Sequence, residues 1–204
     1  MTSEKEKLRA EFAQELEEER PLTKEELRRE VLGTIAYLVA VFVLVFLIVH
    51  FVGQRTVVNG SSMENTLSNG DNLIIDKISY RFRDPERFEV VVFPHEEADG
   101  STSYYIKRVI GLPGERIRID TDGVIYINGE VLVENYGREV IQADRLGRAA
   151  EEITLGDDEY FVLGDNRNNS EDSRYTAVGN LHKDQLIGRA WVRLYPFDEM
   201  GKVR

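Results

Sequence analysis

Tyr104-Tyr105-Ile106-Lys107-Arg108-Val109-Ile110-Gly111-Leu112-Pro113-Gly114-Glu115 sets two cations inside an aromatic and β-branched run that stops at a Pro-Gly turn. Such composition favours a strand, and the turn residues end it. Strict alternation puts Tyr105, Lys107 and Val109 on one face and Ile106, Arg108 and Ile110 on the other. Both faces are mostly apolar, so a lysine here is expected to lose water. A free lysine titrates near 10.4. Burial disfavours the ammonium form and lowers that value. A downward shift of about two units costs roughly 2.7 kcal/mol and leaves an amine able to act as a base near neutral pH. Taken alone, Lys107 also reads as an edge-strand lysine with its tip in water.

The surrounding chain carries the same signature. Thr56-Val57-Val58, Asn72 to Asp76, Phe88 to Phe93 and Glu159 to Leu163 are short and rich in strand formers. Arg116 to Asp120 and Val124 to Asn128 alternate, with Thr121-Asp122-Gly123 and Asn128-Gly129 as hairpin signals. Leu186 to Leu194 reads as a closing strand. A mainly β, mostly antiparallel domain over 53–204 is expected, with a small second β region at about 116–160. Residues 133–153 are polar and charged and read as a variable excursion outside the catalytic core.

Upstream, residues 32–52 contain no Lys, Arg, Asp or Glu. At about 1.5 Å per residue this run reaches roughly 30 Å, the thickness of a bilayer core. A core helix apolar on every face is rare in a small domain. The run is longer than a signal-peptide core and starts some thirty residues into the chain, so an uncleaved transmembrane anchor is expected. Lys24, Arg28 and Arg29 precede it and only Arg55 follows closely. The positive-inside rule then puts the N-terminus in the cytoplasm and the large domain outside. Residues 1–31 read as a charged helical segment. Leu8, Phe12 and Leu16 form a thin stripe, Pro21 interrupts it, and Thr23 and Glu26 have capping-box spacing. That segment is a solvated helix or a weak contact with a partner such as the translocation machinery.

The net charge is −11, of which −3 falls in residues 1–30 and −8 in residues 53–204. An acidic domain without a basic stripe is a poor partner for nucleic acid or for anionic lipid headgroups. Cysteine is absent, and histidine occurs only at 50, 95 and 182, which removes disulfides and thiolate catalysis and argues against a metal site.

Just beyond the apolar run lies Gly60-Ser61-Ser62-Met63-Glu64-Asn65-Thr66-Leu67, a turn with serines. Alone, Ser62 is a turn serine; beside a neutral lysine it becomes a nucleophile. A third segment, Gly164-Asp165-Asn166-Arg167-Asn168-Asn169-Ser170-Glu171-Asp172-Ser173-Arg174, has the composition of a loop braced by side-chain-to-backbone hydrogen bonds.

In order, spacing and content these three segments resemble the type I signal peptidases over residues 32–196, including the single preceding span of the small Gram-positive-type members. The resemblance implies a membrane-bound serine endopeptidase that removes signal peptides from exported preproteins at the outer face of the bacterial cytoplasmic membrane. It implies Ser62 as nucleophile and Lys107 as general base, with no cofactor. By the same resemblance, Ser170 orients the lysine, Asp172 and Arg174 form a bracing ion pair, and Arg108 lies near them. The Ser62 N–H holds the oxyanion, side-chain help is absent or comes from Ser61 because the position two before the nucleophile is Gly60, and Met63 shapes the pocket. Secretory preproteins and the lipid bilayer are the implied partners, with no nucleic acid. Asn65 stands where the family usually has proline, and residues 175–179 depart from the common spacing. These departures motivate the alternative of a non-catalytic or pilus-dedicated anchored assembly factor using the same groove. A self-cleaving Ser/Lys repressor fits less well, since those are soluble and carry a DNA-binding domain.

Overall fold

The computed structural model describes residues 5–7, 9, 23–47 and 53–203. The Leu8/Phe12/Leu16 stripe and the last residues of the expected span, 48–52, lie outside them. The chain divides into two compact units, Met1–Leu47 and Ile48–Arg204.

In the first unit, helix α1 spans Lys24–Leu47. It begins eight residues before the apolar run because a capping box starts it. Thr23 Oγ1 accepts the Glu26 N–H at 3.3 Å, and Glu26 Oε2 accepts the Thr23 N–H at 2.9 Å. Lys24–Phe46 is long and apolar enough to cross a membrane, with a mean hydropathy of 2.0 over its most apolar stretch. Its side chains are exposed, Phe42 to 72%.

The second unit is β-rich, and its strand pairs are antiparallel. The larger sheet runs β1 (Gly53–Val57), β2 (Asn72–Asp76), β11 (Gly188–Tyr195), β3 (Val90–Glu96), β4 (Thr102–Gly111), β9 (Glu159–Leu163) and β10 (Leu181–His182), with β12 (Gly201–Lys202) on β11. The smaller sheet orders β7 (Glu130–Val131), β6 (Ile125–Ile127), β5 (Arg116–Ile119) and β8 (Ile153–Thr154). The two-residue strands β7, β8, β10 and β12 are too short to show a period in sequence. The Asn128-Gly129 signal holds because both residues take positive φ, +53° and +86°, as a tight hairpin demands.

Alternation sorts the side chains into separate cores. Val90 and Val92 pack with Val58, Met63, Leu67, Leu73, Ile75 and Ala190, whereas Val91 and Phe93 pack with Tyr80, Val109, Tyr160, Val162, Leu181 and Leu186. The smaller sheet closes a third core, in which Ile117, Ile119, Ile125 and Ile127 meet Ile110, Phe161 and Leu163. On β4, Tyr105 and Val109 join one cluster while Ile106 and Ile110 join the other two. Lys107 and Arg108 are thus carried into the interior between hydrophobic layers.

β4 also leaves an open edge. It pairs with β3 over Thr102–Arg108 but with β9 only from Arg108 onward. The Thr102–Lys107 edge opposite β3 therefore has no strand partner among the described residues.

Candidate active site

Strand β4 delivers Lys107 and the turn after β1 delivers Ser62. Lys107 Nζ lies 2.8 Å from Ser62 Oγ and also donates to the Ile106 carbonyl at 3.2 Å. The lysine is 4% exposed. Burial pushes its pKa down to about 8, against the attraction of Asp172 and Glu171, with Arg174 adding to the fall and Asp165 opposing it. Lys107 stands on the open edge of β4, but its tip is not in bulk water, since the side chain is almost wholly buried under the residues around it.

A groove of about 540 Å³ opens over this pair. Val57 to Met63 form one wall, Ser103 to Lys107 the other, and Asn169 and Glu171 line one part of it. Met63 is buried and also lines the groove.

Two buried ion pairs brace the site from behind. Asp172 and Arg174 meet through Nε–Oδ1 and Nη2–Oδ2 contacts of 2.8 Å each, both side chains fully buried. Asp172 also accepts the Gly164 N–H at 3.0 Å. Arg108 does not join that pair. It binds Asp165 through Nε–Oδ1 at 2.8 Å and Nη2–Oδ2 at 2.6 Å, and it donates to Thr66 Oγ1 and the Phe88 carbonyl. Asp165 is the support residue that sequence reasoning passed over. An arginine buried in an apolar strand requires a carboxylate partner, so the signal was there, but only the fold selects which of several acids supplies it.

The expected Ser170–Lys107 hydrogen bond is not made. Lys107 spends its donors on Ser62 and Ile106, and Ser170 Oγ is buried without a partner. The hydroxyl sits against Gly164, where a Cβ would come within 2.2 Å of it and within 2.5 Å of the Ser62 carbonyl oxygen. Gly164 thereby lets the braced loop lie flush on the turn that carries Ser62. Asn166 completes that contact: its N–H donates to the Ser62 carbonyl at 3.0 Å and its Nδ2 to the Ser61 carbonyl at 3.0 Å. Ser61 Oγ accepts from Asn169 Nδ2 at 2.9 Å, which holds it in the loop network. Gly60, with φ of +110°, adds no side chain.

Asn65 has φ of +98°, a region closed to proline, whose φ is held near −65°. The difference from the usual family residue is therefore one of backbone path and not only of stiffness. Within residues 133–153, expected as an excursion outside the catalytic core, two residues touch the Ser62 turn and its supports. Tyr136 lays its ring 3.7 Å from the Arg108 guanidinium, and its carbonyl accepts from Asn65 Nδ2 at 3.5 Å. Arg138 pairs with Glu64, and its N–H donates to the Asp165 carbonyl at 2.8 Å. Polar composition marked the segment as surface, and most of it is exposed, but it concealed that Tyr136 and Arg138 reach the Ser62 turn and its supports.

A hydroxyl at hydrogen-bonding distance from a desolvated lysine, under an open groove and on a β scaffold, is the arrangement of a Ser/Lys hydrolase. Comparison with known proteins identifies the family. A family model described as "Signal peptidase, peptidase S26" matches residues 31–195. The chain is 46% identical over 154 residues to a probable signal peptidase I-2 of Synechocystis sp., covering 74% of this chain and 67% of that one. It is 33% identical over 174 residues to signal peptidase I T of Bacillus subtilis, covering 82% and 86% respectively. A crystal structure of a signal peptidase I from Enterococcus faecalis aligns at 34% identity with a TM-score of 0.42, over 52% of this chain and 97% of that one. The chain belongs to the signal peptidase family, peptidase S26. It is an endopeptidase of signal-peptide processing, and the non-catalytic alternative finds no support in these relatives.

Proposed function

We propose that the chain cleaves signal peptides from secretory preproteins with Ser62 as nucleophile and Lys107 as its general base. The observation that carries this reading is the 2.8 Å approach of a buried Lys107 Nζ to Ser62 Oγ. With the amine neutral, Ser62 Oγ attacks the scissile carbonyl carbon while its proton passes to Lys107 Nζ. The negative charge gathers on the former carbonyl oxygen. The Ser62 N–H, which donates no hydrogen bond among the described residues, is the donor available to it. Collapse expels the new amino terminus, which takes the proton from Lys107 and leaves an acyl ester on Ser62. The again neutral lysine then deprotonates a water, which releases the carboxylate and restores the serine. Ser170, whose buried hydroxyl lacks a partner, is suited to receive the Lys107 ammonium when Ser62 gives up its hydrogen bond. Asp172–Arg174 and Arg108–Asp165 hold the loop and strand that bring the pair together.

The groove walls suit an extended substrate. The open β4 edge offers backbone groups to a strand laid along it, and Ser62 and Met63 line the groove where the side chains near the cut would lie. α1 serves as the anchor in the bilayer. The cations Lys24, Arg28 and Arg29 at its start favour an N-terminus inside the cell and the β unit outside. Residues 1–30 are the part of the chain available to the translocation machinery.

The test uses the full chain in detergent and a secretory precursor with Ala at the first and third positions before the cut. Wild type should cleave it, and Ser62→Ala and Lys107→Ala should each be inactive while remaining folded. Turnover by either variant would show that the reacting groups lie elsewhere.

A further inference from the structure

Residues 134–138, which lie between β7 and β8 of the smaller sheet, touch the nucleophile turn and its supports at several independent points. Arg138 forms an ion pair with Glu64, two residues past Ser62, and Glu64 also accepts from Asn166 Nδ2 at 3.3 Å. The Arg138 N–H holds the Asp165 carbonyl, and the Tyr136 carbonyl receives Asn65 Nδ2. The Tyr136 ring covers the Arg108 guanidinium. Glu134 is itself anchored by a buried Arg167, whose Nε donates to the Gly164 carbonyl at 3.0 Å. The segment therefore reaches both halves of the site, the 62–66 turn and the 164–174 loop.

We infer that this segment is a positioning strap for the nucleophile, in which Arg138, through Glu64, sets where Ser62 stands relative to Lys107. The inference rests on Ser62 being the nucleophile. The turn needs such a strap because it carries an asparagine at φ +98°, a conformation that L side chains rarely adopt and that neighbouring contacts must maintain. Glu64 is its polar handle: held from one side by Arg138 and from the other by Asn166, it limits rotation of the turn about the chain direction. A small displacement of Ser62 lengthens the proton-transfer distance, and catalysis is steep in that distance. Arg138 does not touch the groove, so substrate binding is untouched by its loss.

A stability role alone predicts something different. The Arg138 and Glu64 side chains are 51% and 36% exposed, and exposed ion pairs contribute about 1 kcal/mol or less to folding. That amounts to a Tm change of at most about 4 °C for a domain of this size. With the full-length protein in detergent, Arg138→Ala should lower kcat about tenfold, leave KM within about twofold and shift Tm by no more than about 4 °C. Arg138→Lys, which keeps the charge, should recover most of the loss. Arg138→Ala combined with Glu64→Gln should be no slower than Arg138→Ala alone, since the two act through one contact. If Arg138→Ala fails to fold, Glu64→Gln reads the same contact from the other side and should show the same fall in kcat. Wild-type kcat in a folded single variant overturns the strap, as does an activity loss that only follows the unfolded fraction or additive losses in the double variant. Ser62→Ala run in parallel separates the two readings. Activity there removes the nucleophile assignment, whereas a dead Ser62→Ala beside a fully active Arg138→Ala removes only the strap.

Discussion

Replacing the buried lysine by a shape-matched apolar residue, Lys107→Met, should make the protein more stable at neutral pH while abolishing cleavage. In the folded state the Lys107 pKa falls from 10.5 to about 8 because burial strips water from the ammonium. At pH 7 the lysine is protonated in both folded and unfolded chains, so the folded state bears the full penalty. At about 1.36 kcal/mol per unit this is roughly 3 kcal/mol. Methionine removes it. The hydrogen bonds from Nζ to Ser62 Oγ and the Ile106 carbonyl are lost, at about 1 kcal/mol for the pair once water reaches the groove. The net gain is about 1–2 kcal/mol, or about 2–8 °C in Tm for a domain of this length. The pH dependence provides the sharper check. Between about 8 and 10.5 the unfolded lysine stays protonated while the folded one is neutral, so wild-type stability rises with pH through that window. The advantage of Lys107→Met should therefore be largest at pH 7 and shrink toward pH 10. Thermal melts of both proteins in the same detergent across that range, compared as differences, isolate this group from the other titrations. A variant less stable than wild type at pH 7, or a difference independent of pH, would refute a desolvated lysine and with it the source of its basicity.

Two further expectations follow from the same geometry. Cleavage (kcat/KM) should rise with pH through about 8 and then level off as Lys107 becomes neutral, and Glu171→Gln, which removes a carboxylate that favours the ammonium, should move that rise to lower pH; an unmoved profile would mean that Glu171 is screened from the lysine. Gly164→Ala drives a methyl into Ser170 Oγ and the Ser62 carbonyl, so it should cost about 1–3 kcal/mol of stability and at least tenfold in kcat, read by melting and turnover together; a near wild-type enzyme would show that the loop and the nucleophile turn can separate without consequence.

What the sequence alone determines here is local. Composition and period place α1 and most strands, because a 21-residue uncharged run and two-residue alternation need no knowledge of distant partners. The Thr23/Glu26 cap and the Asn128-Gly129 turn are equally legible, since each depends on residues within four positions of one another. Ser62 and Lys107 stand out through the order and content of their segments. The tertiary structure alone decides which groups meet across long separations. It pairs Arg108 with Asp165 and not with the Asp172–Arg174 pair, leaves Ser170 unbonded, and folds residues 134–138 onto the turn that carries Ser62. The physical reason is that a buried charge demands a partner but does not specify one. Among many acids and arginines in this chain, the sheet register and the loop paths choose.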